Sequence, residues 1–165
     1  MNWSKRVRAP NFRTVATEIE RKFLLHGEFP RENGVEMVQG YLCKDIDRTV
    51  RIRLEGERAV LTIKGRTSGI SRPEYEYEIP ADEAQELLGM AVGPLVEKTR
   101  YYHRRGGHVW EIDVFKGDNA GLAVAEIELG SEDEPFEKPA WVGNEVSGDS
   151  RYANSALSVR PFTQW

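Results

Sequence analysis

The sequence predicts a mainly β (α+β) domain, an antiparallel sheet or barrel carrying few helices. Three observations predict it. Segments of alternating polarity follow one another along most of the chain, short turn-forming clusters separate several of them, and the long crossover spacing of βαβ units is missing. Strands joined by hairpins in this way pair antiparallel.

The first strand is expected over about residues 17–25. Side chains two apart on a strand share a face, so Glu18, Glu20 and Lys22 form one charged stripe, with Ile19, Phe23 and Leu25 among the apolar residues around it. Strands over about 37–43 and 47–55 follow, and Glu55-Gly56-Glu57 turns the chain into another at 58–65. The stretch from Gly65 to Ser71 contains glycine but lacks a P-loop arrangement, and reads as the loop before a strand at 73–79. A helix is expected from Pro80 to Leu88, because Asp82 and Glu83 suit its positive N-terminal end and Gly89 or Gly93 closes it. Strands at 96–103 and 108–115 flank Arg105-Gly106-Gly107, and Gly117-Asp118-Asn119 leads to the strand at 122–130. Asp149 to Val159 reads as a short helix stopped by Pro161. Trp110, Trp141, Tyr75 and Tyr77 are expected to pack on the outer face against helices, and His103 and His108 to lie exposed beside the Gly106-Gly107 turn.

With 165 residues, the chain suffices for one domain with its own core. The leader 1–16, carrying Lys5, Arg6, Arg8 and Arg13 without an apolar signal segment, is expected to be basic and flexible, and residues 17–163 to form the domain. A net charge of -4 implies no general attraction to nucleic acid or anionic membranes, so any bound anion must be held by a local cluster. The single cysteine, Cys43, excludes an intrachain disulfide and a cysteine-based zinc site, and three scattered histidines make no metal motif. No apolar run approaches the roughly 20 residues that cross a bilayer. A cytoplasmic protein is expected, as a monomer or homodimer, without nucleic acid or membrane partners.

The charged stripe recurs in Arg51-Ile-Arg53, Lys64, Glu74-Tyr-Glu76-Tyr-Glu78, Lys98-Thr-Arg100, Glu111-Ile-Asp113 and Glu126-Ile-Glu128. A solvated sheet face gives similar alternation, with cross-strand ion pairs worth roughly 0.2–1 kcal/mol each. Here, however, the polar positions are almost purely ionic, the cations lean to arginine, and like charges sit together. Clustered like charge costs energy unless a counter-ion occupies the site. Glutamates suit a hard divalent cation, and Arg51 with Arg53 suit phosphate oxygens. Together they fit a metal–polyphosphate complex.

These residues resemble the CYTH domain, or triphosphate tunnel metalloenzymes. The Glu-x-Glu-x-Lys signature stands at Glu18, Glu20 and Lys22, and the resemblance runs in order through the stripes above to Asp149-Ser-Arg-Tyr152-Ala-Asn-Ser-Ala-Leu157. The compact bacterial type, often an inorganic triphosphatase, is the most similar in pattern. The resemblance implies an eight-stranded antiparallel β-barrel tunnel with a charged interior, helices packed outside and a short C-terminal plug helix. It implies Glu18, Glu20, Glu126 and Glu128 as ligands of Mg²⁺ or Mn²⁺, with Glu111 or Asp113 additional. It implies Lys22, Arg51, Arg53, Lys64, Lys98 and Arg100 as the triphosphate cradle, and Glu74 and Glu76 as its supporting network.

The implied reaction is metal-dependent hydrolysis of tripolyphosphate to pyrophosphate and phosphate by direct water attack. The base that activates the water is either a Lys22–Tyr41 dyad, also taken from the resemblance, or a carboxylate assisting a metal-activated water. Class IV adenylyl cyclase and thiamine or nucleoside triphosphatase activities are rivals within the family. A non-hydrolytic polyphosphate-binding module is a rival of another class.

Overall fold

The computed structural model describes residues 17–165, and the basic leader 1–16 lies outside them. Ten strands run in chain order: β1 (Glu18–Leu25), β2 (Val35–Lys44), β3 (Arg48–Glu55), β4 (Arg58–Gly65), β5 (Ser71–Arg72), β6 (Glu74–Ile79), β7 (Val96–Arg105), β8 (His108–Phe115), β9 (Ala123–Glu128) and β10 (Val142–Glu145). The two helices are α1 (Ala81–Leu88) and α2 (Asn154–Leu157), with three short 3-10 turns besides.

Strand pairing runs β10-β1-β9-β8-β7-β2-β3-β4-β6, with β5 set off this path on β1. Every pairing among the described residues is antiparallel. The expected eight-stranded closed barrel is therefore corrected to a ten-stranded sheet that does not close. The reason lies in β1. One of its edges is used by β9, and the other is divided between β10, at Phe23 and Leu25, and β5, at Glu18 and Ile19. Between β6 and β1 only the two residues of β5 make ladder pairs. Pro73, which lacks an amide donor, follows them at once and interrupts the ladder.

Two hairpins are set by their turns. Arg105 pairs with His108 around Gly106 and Gly107, whose φ values of 57° and 83° a side chain would resist. Glu55 pairs with Arg58 around Gly56 and Glu57. Outside the sheet, α1 lays Ala84 and Leu88 on Ile52 and Ala59. Its exit crosses β2 at Gly40, where an added Cβ would stand 2.7 Å from Leu95 and 2.8 Å from Ala91. Trp110, fully buried, meets Phe23, Phe136 and Trp141 edge-on at 5.6–5.9 Å. It thus packs against the segment between β9 and β10 rather than against a helix. Each edge-on pair adds about 0.5–1.5 kcal/mol beyond the area the indole buries.

On the concave face, charge gives way to apolar residues at one end. Register places Lys98 opposite Phe115 and Asp113 opposite Val124. Phe115 follows Asp113 by two residues, Val96 and Val124 precede Lys98 and Glu126 by two, and all three join Leu122 and Leu157 of α2 in a buried cluster. The helix expected over 149–159 is reduced to a 3-10 turn at Ser150–Tyr152 and the four residues of α2. Their role in the architecture is to put Leu157 into this apolar end.

Candidate active site

The concave face surrounds a cavity of about 760 Å³. Strand alternation alone brings the stripes together there. Glu18, Glu20, Lys22, Tyr41, Arg51, Arg53, Lys64, Glu74, Glu76, Arg100, Glu111, Glu126 and Glu128 all line it. Lys98 and Asp113 lie on the same strand faces but are fully buried and do not line it.

One ionic cluster joins β1, β4, β5 and β6. The Lys64 ammonium donates to both oxygens of Glu18 at 2.8 and 2.9 Å and stands 2.9 Å from Glu74. Arg72 Nε donates to Glu18 Oε2 at 2.7 Å. Burial pushes the Glu18 carboxyl up, but Lys64 and Arg72 together hold it well below the usual carboxylate range. Glu74 moves the other way. Burial, with Glu18 beside it, raises it against the pull of Lys64, so that the two carboxyls share one ammonium unequally.

The second cluster joins β1, β7, β8 and β9. Glu126 accepts from Lys22 Nζ at 2.8 Å and from Arg100 Nη2 at 2.9 Å. Arg100 also donates through Nε and Nη2 to Asp113 at 2.6 and 2.7 Å, and through Nη1 to Glu111. Behind them Lys98 Nζ donates to Asp113 Oδ2 at 2.5 Å. Despite its burial, Glu126 stays well below its ordinary pKa because Lys22 and Arg100 face it. Lys22, partly buried, is raised by Glu126 and Glu20 against the cost of desolvation, and it also donates to the Tyr152 carbonyl at 3.2 Å. A third group lies on β3, β4 and β6, where Arg51 Nη2 donates to Thr62 at 3.3 Å and Arg53 Nη2 stands 3.6 Å from Glu76.

Glu20 is different. Its nearest cation is Lys22, at 3.9 Å, and no donor among the described residues hydrogen-bonds its carboxylate. Burial, then the charges of Glu126 and Glu18, push it up to about 7. Across the β1–β9 ladder it faces Glu128, while Lys22 faces Glu126. This under-compensated set of hard oxygens fits a divalent cation in donor chemistry. No three acidic, histidine or cysteine side chains among the described residues already converge on one ion, because Glu18 and Glu126 are turned to lysine and arginine.

Tyr41, 5% exposed, borders the same space. Burial raises its phenol, against the opposing pull of Arg51, Arg72 and Lys22.

Residues 16–159 match the CYTH domain. The chain belongs to the CYTH family. An inorganic triphosphatase of Acetivibrio thermocellus is 47% identical to this CYTH chain over 151 residues, 90% of this chain and 97% of the relative. One from Nitrosomonas europaea is 40% identical over 149 residues, 87% of this chain and 97% of the relative. A crystal structure of an inorganic triphosphatase superposes with a TM-score of 0.62 at 38% identity, covering 86% of this chain and 97% of that one.

Beyond the residues expected from sequence, this CYTH cavity is lined by Arg72, Arg58, Arg104, Tyr102 and His108. His108 contacts Glu134 at 2.9 Å, and His103 meets the Trp141 ring edge-on, so neither histidine is simply exposed. Arg72 could not be found from alternation, since it sits in a two-residue strand before a proline. Arg104 and Tyr102 continue the parity of Lys98 and Arg100, and that signal is present in the sequence. No helix among the described residues is long and apolar enough to cross a membrane.

Proposed function

We propose that this chain is an inorganic triphosphatase, hydrolysing tripolyphosphate to pyrophosphate and phosphate with a divalent cation, Mg²⁺ or Mn²⁺. The observation that carries this reading is a cavity in which lysine and arginine clusters surround a partly buried glutamate, Glu20, to which no lysine or arginine among the described residues hydrogen-bonds. The character of the 47% and 40% identical relatives supports it. Glu20, Glu126 and Glu128, with Glu18, would hold the cation, and Glu111 would add to them. When bound, the cation supplies charge neutralisation at the phosphate oxygens.

The rest falls to this chain's own side chains. Arg51, Arg53, Lys64, Lys22 and Arg100 bind and orient the phosphates, each taking charge from an oxygen where negative charge develops. They are held in place by the carboxylates that pair with them in the free protein, Glu74 and Glu76 included. Lys98 and Asp113 act from behind, by fixing Arg100. Tyr41 takes the proton of the attacking water in its phenolate form, which Arg51, Arg72 and Lys22 favour; burial outweighs them and keeps the phenol raised, so that form grows with pH. The apolar end built on Phe115 and Leu157 keeps water out behind the site.

Tyr41 and Tyr102 are the only phenol rings lining the cavity among the described residues, which offers a nucleobase little to stack on and favours an inorganic substrate. Phosphate release from tripolyphosphate, compared with ATP and with thiamine triphosphate, tests the assignment. Tripolyphosphate is expected to turn over fastest. Preference for a nucleotide, or conversion of ATP to cyclic AMP, would replace the proposal with one of its relatives, and tight binding without release would leave a binding module.

A further inference from the structure

Of the arginines lining the cavity, Arg72 and the exposed Arg104 keep both terminal amino groups without an acceptor among the described residues, and of these two Arg72 alone is anchored through Nε. We propose that Arg72 is a further phosphate-binding residue, holding the triphosphate through the two terminal amino groups of its guanidinium. The inference rests on the triphosphatase reading of the cavity.

The position of Arg72 is fixed by backbone, although β5 has only two residues. The Gly65 amide donates to the Pro73 carbonyl at 2.8 Å, Ser68 and Ser71 exchange amide hydrogen bonds at 2.8 and 3.0 Å, and the Glu20 amide donates to the Ile70 carbonyl at 3.2 Å. Ser71 Oγ adds a bond to Glu132 at 2.8 Å. The ladder then sets Arg72 directly opposite Glu18. A side chain launched from so tethered a strand loses little further freedom on binding.

Its donors are divided unevenly. Nε is spent on Glu18 at 2.7 Å, while Nη1 and Nη2 meet no acceptor among the described residues, and the side chain, 30% exposed, lines the cavity. Arg100 makes the contrast, since its Nε, Nη1 and Nη2 all meet carboxylates. A guanidinium carries five N–H donors in a planar fork, so Arg72 keeps four of them, in the geometry that grips phosphate oxygens in pairs. Arg72 also shares its space with the assigned cradle. Arg51, Lys22 and Tyr41 line the same cavity. Glu18, with which it pairs, is also held by Lys64, and so does not need Arg72 to remain compensated.

Two variants, Arg72→Gln and Arg72→Lys, test the proposal. Calorimetry would follow binding of a methylene-bridged tripolyphosphate analogue with Mg²⁺, and steady-state kinetics would separate KM from kcat. For Arg72→Gln the analogue's Kd and the KM are expected to rise about 10- to 100-fold, as for the loss of charge-assisted hydrogen bonds. Mg²⁺ binding measured without the analogue should stay at the wild-type value. Arg72→Lys, a point charge without the fork, should fall between the two. Analogue affinity at the wild-type value in both variants would overturn the proposal and leave Arg72 as a partner of Glu18 only. A shift in Mg²⁺ affinity alone would overturn it too. Should Arg72→Gln lose its unfolding transition, the Arg72→Lys affinity decides. If the wild-type protein itself neither binds nor cleaves tripolyphosphate, it is the triphosphatase reading that fails.

Discussion

Lys98 Nζ lies 2.5 Å from Asp113 Oδ2, and both side chains are fully buried. The pair stands behind Arg100, whose Nε and Nη2 also bond Asp113. Breaking a buried pair strands a charge, so Lys98→Met and Asp113→Asn should each destabilise by about 3–5 kcal/mol. The double variant, with neither charge, should lose less than the sum of the two. Urea unfolding of the four proteins measures this coupling.

Glu20→Gln should exchange function for stability, in a pH-dependent way. The folded carboxyl sits near 7, above its ordinary value of 4.5, because of burial and then the charge of Glu126. The folded state therefore holds this proton more tightly than the unfolded chain. Its stabilising effect is complete below about pH 4.5 and is lost as pH rises through 7. Metal-free Glu20→Gln should match the wild type near pH 4 and exceed it by about 1–3 kcal/mol at pH 8.5. Denaturant melts at the two pH values check this, and an equal difference at both would contradict it.

Tyr41→Phe removes only the phenol oxygen. If Tyr41 takes the water proton, kcat should fall about 10²- to 10⁴-fold with KM little changed. Because burial raises the phenol, the wild-type kcat should still be climbing on the alkaline side, and Tyr41→Phe should flatten that limb. A pH–rate profile of both proteins is the measurement. An unchanged kcat would pass the proton to a carboxylate acting on the water.

Leu157→Ala should open the apolar end of the cavity. Leu157 is 1% exposed and packs with Phe115 and Val124, and losing such a side chain costs about 2–5 kcal/mol. Thermal unfolding reads the loss.

Alternation makes most of the site legible in the sequence itself. Charged residues spaced two apart must share a face, and the sheet brings Glu18, Glu20, Lys22, Arg51, Arg53, Lys64, Arg100 and Glu126 to one cavity. The hairpins at Gly56 and Gly106-Gly107 are legible for the same local reason. What local pattern cannot give is the edge. β5 is too short for a period, and β10, Val-Gly-Asn-Glu, has one strand-forming residue followed by three poor ones, so both depend on the free edge that β1 offers them. The pattern leaves a sheet or a barrel open, and the closed ring that the resemblance implies is found as an open ladder. Parity also cannot measure depth, so Lys98 and Asp113 read as ligands, although they lie beneath the cavity wall.

Phosphate release from tripolyphosphate by the purified protein, with Mg²⁺, with EDTA, and with Glu128→Gln in place of the wild type, is the decisive measurement. Glu128 faces Glu20 across the β1–β9 ladder and is solvent-exposed in the cavity, so its amide should leave the fold intact. Rapid release is expected with Mg²⁺ and none with EDTA, together with a loss of about 10²-fold or more in a Glu128→Gln protein that unfolds like the wild type. Release that persists in EDTA, or a Glu128→Gln protein as active as the wild type, would contradict the triphosphatase reading.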